Sequence, residues 1–437
     1  MTQVSPSSPS HEAASQLPNL TTQEIGERFL DFFSEHGHLI QEGAGIVPVN
    51  DPTLLFINSG MAPMKRYFRS EQEPPAPRLA NIQHCVRTTD IEDVGDSHHG
   101  TSFRMMGSWS FGDYFKEEAV DYAWQLVTEG FGIPAERLSA TYLTEDQNTH
   151  PGVPTDIESA AAWRHHLPAD RIIASPPEDN FWGPAGDTGP CGPCTEVFFD
   201  RGTSYGDRPS GTLLDGRDIE IWNAGVFMEF EKQANGLLTP LAMRSVDTGA
   251  GLERFAMILQ NAPSIHQIDA FRPLFDKVEG MVGSERSGRI VFDHLKTSLM
   301  MLDSDIVPGN GQAPYVLRRL LRRSFTLLNL SGVSLNEVIS LKDDYRDQIE
   351  PTPQRTVPES TVTQLMVDEI GRFEKILKRS EKFMAQIQAR GTVSAAQVAD
   401  MKSTHGIPEE LVEEFCLSQG IVYPRDELAQ LRAASKK

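Results

Sequence analysis

Between residues 139 and 262 strand-like runs succeed one another with few helical stretches between them, and that order narrows the fold more than any other feature. A parallel sheet needs a long crossover between successive strands, usually a helix, whereas antiparallel strands are joined by turns. The runs at 196–200 and 218–222, set among polar Gly/Pro-rich loops, predict an antiparallel sheet in an α+β domain and not a doubly wound parallel one.

The flanks agree with that reading. Residues 38–115 alternate short apolar runs, such as 53–57, with Gly, Asn, Pro and Asp clusters, as strands and hairpins do. Thr21-Thr22-Gln23-Glu24 has the capping-box pattern, and Ile25, Phe29, Phe32 and Phe33 then share one helical face. Residues 117–127 return to helical spacing through Ala119, Ala123, Leu126 and Val127. After about residue 265 the chain turns helical: 315–328 reads as one helix, and Met366, Ile370, Phe373, Leu377, Met384 and Ile387 mark a long amphipathic one. Pro351, Pro353 and Pro358 fall in a linker or exposed loop between them. The expected organisation is a disordered tail over 1–20, a domain built on the antiparallel sheet over 21–264 and a helical domain over 265–437.

Composition removes several function classes. Hydrophobic residues are 39% of the 437, and no stretch approaches the roughly 18 apolar residues of a membrane span. The first twenty residues are Ser/Pro-rich, with neither a basic start nor an apolar core, so no signal peptide is read and a cytoplasmic location is expected. The four cysteines, Cys85, Cys191, Cys194 and Cys416, do not form a disulfide framework. Cys191-x-x-Cys194 invites a metal, but no second Cys or His pair completes a zinc site, and none is expected. A net charge of −21 opposes long-range attraction to nucleic acid, so such a partner would have to meet a local basic patch.

The stretch Ser245-Val246-Asp247-Thr248-Gly249-Ala250-Gly251-Leu252-Glu253-Arg254 points to phosphate chemistry. Glycines let backbone approach a ligand closely, and a guanidinium can both stack on a base and donate to phosphate oxygens. By itself the string also fits a Gly-containing helix start with a solvated Arg. A second segment places Arg87 at a strand end, before an acidic loop with Asp90, Glu92 and Asp93, and Phe103 on the next strand. That geometry suits a nucleotide, though an ordinary hairpin with a core Phe has the same pattern. Residues 186–196 add a Gly/Pro-rich stretch read as a rigid, turn-rich loop.

Together these segments resemble the catalytic part of the alanyl-tRNA synthetases, a family of class II aminoacyl-tRNA synthetases. HGHLIQEGAGIVP and DPTLLFINSGM look like its motif 1 region, QHCVRTTDIEDVG with GSWSFGDYFKE like motif 2, and SVDTGAGLER like motif 3, with NFWGPAGDTGPCGPCTE and IWN as further hallmarks. The resemblance implies a class II antiparallel sheet flanked by helices and followed by a helical tRNA-recognition part. It implies ATP, a small amino acid and tRNA as partners, with Mg²⁺ accompanying ATP. Arg87 would hold the α-phosphate and substrate carboxylate, Arg254 would stack over adenine and touch the γ-phosphate, and Phe103 and Glu92 would lie at the base. Asp247 would bind the substrate ammonium, and Asn223 would orient the amino acid. Met105, Trp182, Val226 and Gly249 would wall its side-chain pocket, and Glu196 and Asp200 would be Mg²⁺ ligands.

Toward tRNA the resemblance points to Asn310, to Ser403 and to a stripe of Arg318, Arg319, Arg322 and Arg323, which fall within about 140° of a helix. A solvated face balanced by acids is the other reading of that stripe. The chain departs from the family in four places. Ala224-Gly225 lie between Asn223 and Val226 where one residue is usual, which bears on the methyl pocket. Ser102 and Arg104 replace an aromatic and a Glu or Gln, Ser403 replaces an aspartate, and Ala313-Pro314 replaces Arg-Gly. The likeness stops before an editing domain and a C-terminal oligomerising domain, so uncorrected activation and a monomer are expected. Passage of the adenylate to a non-tRNA acceptor, or a non-catalytic role, are the other functions weighed.

Overall fold

The computed structural model describes residues 17–49, 51–349 and 357–435. Nine strands form its sheet: β1 (Leu39–Ile40), β2 (Arg78–Val86), β3 (Ser102–Phe111), β4 (Leu138–Leu143), β5 (Ile172–Ser175), β6 (Phe181–Trp182), β7 (Gly189–Asp200), β8 (Asp218–Lys232) and β9 (Leu238–Gly251). Their order is β1-β2-β3-β9-β8-β7-β4-β5, with β6 paired to β7 off this path. The long central pairs are all antiparallel, as the sequence predicts, and only the short edge pairs β1–β2 and β4–β5 are parallel.

Helices cover the sheet and then take over the chain. α1 (Thr22–Glu35) starts at the expected capping box on Thr21 and Glu24 and buries Ile25, Phe29 and Phe33. Phe29 and Phe33 meet Trp222 of β8, with ring centroids 6.1 and 6.4 Å away. Short helices α2 (Lys65–Phe68), α4 (Ile157–Trp163) and α5 (Pro177–Asn180) lie in connections, and α3 (Lys116–Gln125) matches the helical spacing expected there. Leaving β9, the chain enters α6 (Leu252–Leu259) directly. Then follow α7 (Arg272–Val282), α8 (Glu285–Asp303), α9 (Gln312–Leu330), α10 (Glu337–Gln348), α11 (Glu359–Arg390), α12 (Ala395–Ser403), α13 (Glu409–Ser418) and α14 (Arg425–Ser435). One cluster of buried apolar side chains runs from Leu20 to Leu428, so the change of character after residue 264 occurs within continuous packing.

Three local expectations are corrected. Residues 53–57 form turns, because the Asp51 carboxylate accepts from the Thr53 amide (3.0 Å) and hydroxyl (2.6 Å) and binds Lys65 (2.6 Å), bending the chain there. The Gly/Pro-rich stretch from Gly189 is not a loop but the first half of β7. Its register slips between Cys191 and Cys194, so Pro193 sits at a bulge, and a Cβ on Gly192 would stand 1.8 Å from the Phe227 carbonyl oxygen. Leu20 is buried, so ordered packing begins before residue 21. The rest of the expected tail, residues 1–16, and the linker prolines Pro351 and Pro353 lie outside the described residues; Pro358 caps the N-terminus of α11.

Candidate active site

One cavity opens over the middle of the sheet, where β3, β9, β8 and β7 present their faces, and most of the expected nucleotide and amino-acid residues line it: Arg87, Phe103, Met105, Trp182, Asn223, Val226, Asp247, Gly249 and Arg254. The register explains the convergence. Cys85 pairs with Phe103, so the first residue beyond β2, Arg87, stands beside the start of β3, and its guanidinium lies 5.0 Å over the Phe103 ring. Its Nε donates to the Asn58 carbonyl (3.0 Å), which aims the rest of the fork. Arg254, in the first turn of α6, donates to the Glu220 carbonyl (2.9 Å) and carboxylate (3.0 Å).

Asp247 sits opposite Trp109 in the β3–β9 ladder and accepts from its indole Nε1 (2.7 Å). Burial pushes the Asp247 carboxyl up to about 7, since desolvation disfavours the charged form more than one hydrogen bond favours it. A cationic group beside it would reverse that balance. Close approach is built in on both sides of this end: a Cβ on Gly249 would lie 2.9 Å from Met105 Sδ, and one on Gly60 would lie 2.7 Å from the Trp109 ring.

The extra residue between Asn223 and Val226 is absorbed by a bulge. Asn223 pairs with Gly249 and Val226 with Asp247, three residues on β8 against two on β9, and a matching slip occurs against β7 between Thr195 and Glu196. An added residue in a plain strand would turn Val226 to the other face. The bulge returns it to the cavity.

Both acids of the expected metal pair lie on β7, and one is corrected. Glu196 faces the cavity and is bonded by Asn223 Nδ2 (3.4 Å). Asp200 lies four residues on, about 13 Å along a strand, where Arg217 (2.8 Å) and Arg208 (3.3 Å) hold its carboxyl well below the usual range. The acid that joins Glu196 is Glu220. Glu220 and Asn223 are three apart, a spacing that puts side chains on opposite faces of a regular strand. A register shift between Val197 and Phe198 lets both face the cavity. Burial, and then the charge of Glu220, push Glu196 well above the usual carboxylate range. Two acids beside one guanidinium, that of Arg254, and an all-oxygen donor set fit a hard divalent cation such as Mg²⁺.

Glu92 is also corrected. It turns away from the cavity to an ion pair with Arg319, and Asp90 is the acid of that loop that lines it. Ser59, His98 and His99 line it too, residues that were given no role from the sequence; His99 Nδ1 donates to Asp96 (2.6 Å), in the loop that follows Arg87. Cys191 and Cys194 are buried free thiols, and burial pushes the Cys191 thiol up to about 12.

The arginine stripe of α9 is largely spent inside the protein. Arg322 binds Glu369 (2.8 Å), and Arg318 meets Glu369 (3.4 Å), the Pro308 carbonyl (3.1 Å) and Asn310. Arg319 binds Glu410 (2.7 Å) and Glu92. Arg323 is buried, donating to the Ile91 carbonyl (2.8 Å) and bound to Glu414 (3.2 Å), so it is withdrawn from any solvent-side partner. Arg318, Arg319 and Arg322 remain partly accessible in a cleft they share with Lys402 and residues 406–410. Ser403 is exposed at the end of α12, next to Lys402. Among the described residues no helix is long and apolar enough to cross a membrane.

Comparison with known proteins places these observations. The family model described as tRNA synthetases class II (A) matches residues 24–437. The alanine--tRNA ligase of Rubrobacter xylanophilus is 35% identical over 428 residues, covering 93% of this chain and 48% of the relative. That of Dichelobacter nodosus is 37% identical over 432 residues, covering 93% and 48%. That of Treponema denticola is 35% identical over 432 residues, covering 94% and 71%. The chain thus spans about half the length of the first two relatives and more of the third.

Proposed function

The chain belongs to the class II (A) tRNA synthetases, and on that premise we propose that it activates alanine with ATP and transfers the aminoacyl group to the 3′ end of a tRNA. The observation that carries the reading is the convergence of Arg87, Phe103, Arg254 and Asp247 on one cavity. Two guanidiniums, an aromatic face and a buried acid suit a nucleoside triphosphate beside an amino acid.

In the first step a carboxylate oxygen of the amino acid attacks the α-phosphorus of ATP, and pyrophosphate leaves with the electron pair of the broken P–O bond. Arg87 neutralises both anions that must meet, the attacking carboxylate and the α-phosphate, and is held in place for the charge that grows between them. Arg254 and Phe103 would take the two faces of the adenine ring. Ionised Asp247 binds the ammonium and fixes which end of the amino acid reaches the phosphate. No side chain serves as nucleophile. Glu196 and Glu220 would hold Mg²⁺, which when bound with ATP supplies neutralisation of triphosphate charge. In the second step the 3′-terminal hydroxyl attacks the aminoacyl carbonyl, releasing AMP.

Val226, Trp182 and Met105 are apolar side chains of the cavity lining and would bound a pocket for a small apolar side chain such as a methyl group. The cleft of Arg318, Arg319, Arg322 and Lys402 is where an acceptor stem would meet positive charge. Alanine-dependent ATP–pyrophosphate exchange followed by charging of a tRNA tests the whole reading. No exchange with any amino acid overturns it; exchange without charging keeps the adenylate and moves the acceptor elsewhere.

A further inference from the structure

The loop from Arg87 to Thr101 carries Asp90, His98 and His99 into the nucleotide cavity, yet several of its anchors come from the helical side. Arg323 of α9 donates to the Ile91 carbonyl (2.8 Å), and Arg289 of α8 to the Gly95 carbonyl (3.2 Å). Asp293 of α8 accepts from the Thr101 amide (2.9 Å), and just past the loop Lys296 donates to the Ser102 carbonyl (2.7 Å). These four contacts are buried or nearly so. The pair formed by Arg319 and Glu92 is different, because Glu92 is 52% exposed and Arg319 is 26% exposed.

Arg319 also stands in the cleft with Arg318, Arg322 and Lys402, bound to Glu410 on its other side. A single guanidinium thus touches the nucleotide loop and faces the basic cleft. We propose that Arg319 is a positioning residue that couples the two: it holds Glu92, and with it the nucleotide loop, while the cleft is empty, and turns to a phosphate when an RNA backbone enters.

The physical basis is a competition for one cation. With Glu92 and Glu410 in place the charge of Arg319 is neutralised, and the two carboxylates repel an incoming phosphate. Release of Glu92 removes one of the two carboxylates and frees the Nη2 end of the guanidinium, while Nε stays on Glu410, so a phosphate can accept from the freed end, RNA binds the released state better and the population shifts toward it. The hold on Glu92 favours the assembled loop and therefore ATP. By reciprocity, RNA in the cleft weakens ATP binding and ATP weakens RNA binding by the same factor. Pyrophosphate would then leave more readily as the acceptor arrives. This inference rests on the proposed reaction and on RNA entering that cleft.

The test uses the full chain and an RNA hairpin reproducing an acceptor stem with its single-stranded 3′ end. ATP affinity is measured by calorimetry, and KM for ATP by alanine-dependent pyrophosphate exchange, each with and without the hairpin. In the unmodified protein saturating hairpin is expected to weaken ATP binding by about two- to fivefold, the range of a partly exposed ion pair. Glu92→Gln is expected to show the weaker ATP binding already, no further response to hairpin and a kcat close to the unmodified value; Arg319→Gln combined with it adds nothing on ATP. Glu92 is exposed enough that Glu92→Gln folds, which an unchanged melting temperature confirms. Equal ATP affinity in the unmodified protein and Glu92→Gln, or an equal hairpin response in both, overturns the coupling. Loss of exchange with intact, hairpin-sensitive ATP binding overturns the proposed reaction and leaves the coupling standing; absence of ATP binding overturns both.

Discussion

At the scale of single residues the cavity is governed by one buried acid and two arginines. Asp247 is pushed up to about 7 from the usual 3.8 by burial, and it must be ionised to bind an ammonium. KM for alanine is therefore expected to rise by up to about tenfold per unit as pH falls below about 7, a trend that pyrophosphate-exchange kinetics would register. A KM for alanine that stays constant between roughly pH 5.5 and 8 would remove Asp247 from the ammonium site. The same shift acts on stability with a definite sign. Between about 4 and 7 the unfolded chain carries this carboxylate ionised and the folded chain carries it protonated, so stability falls as pH rises through that window, and the full burial cost persists above it. Asp247→Asn is expected to raise stability at pH 8 by up to about 4 kcal/mol, with the gain vanishing near pH 4, in urea titrations at the two pH values. Arg254→Ala is expected to lower exchange by about 10²-fold or more, as loss of a placed electrostatic donor does. Retained activity would mean that the motif of residues 245–254 has been assigned the wrong role.

At the scale of elements the site depends on irregular strands. β8 carries Glu220, Asn223 and Val226 into one cavity although their spacing of three and three suits no regular strand, and two register shifts make the difference. The resemblance paired Asp200 with Glu196 on one strand, and Glu220 went unassigned, since the register shifts that bring it to the cavity leave no mark in residue type. β7 shows the converse: its Gly and Pro content reads as loop, but Gly192 is required where β8 backbone approaches. Gly192→Ala places a methyl group 1.8 Å from the Phe227 carbonyl oxygen, so the strands must part. A loss of more than about 3 kcal/mol is expected by chemical denaturation, and a loss under 1, roughly the value for an unstrained surface site, would mean that β7 and β8 do not approach there.

At the scale of the whole molecule the helical part is a support for the nucleotide loop as well as a surface of its own. Arg323 joins α9 to that loop and to Glu414 of α13, with both side chains almost fully buried. Arg323→Met leaves Glu414 with Arg286 as its remaining partner, and a loss of about 3–5 kcal/mol is expected by thermal or chemical denaturation. Adding Glu414→Gln is expected to restore part of it, because the buried charge that Arg286, 44% exposed, compensates less well than Arg323 did is then removed; no recovery would place the cost in packing alone. Strand order and amphipathic spacing are local signals, and they were enough for the antiparallel sheet and the helices α1, α3, α9 and α11, whereas most of the cavity residues were legible only through the resemblance to a known family. Only the tertiary structure decided the partners. Which acid meets Glu196, whether Glu92 faces nucleotide or arginine, and how far the α9 arginines are already paired depend on groups brought together from distant parts of the chain, and charge pairing over such distances is set by packing and register rather than by neighbours in sequence.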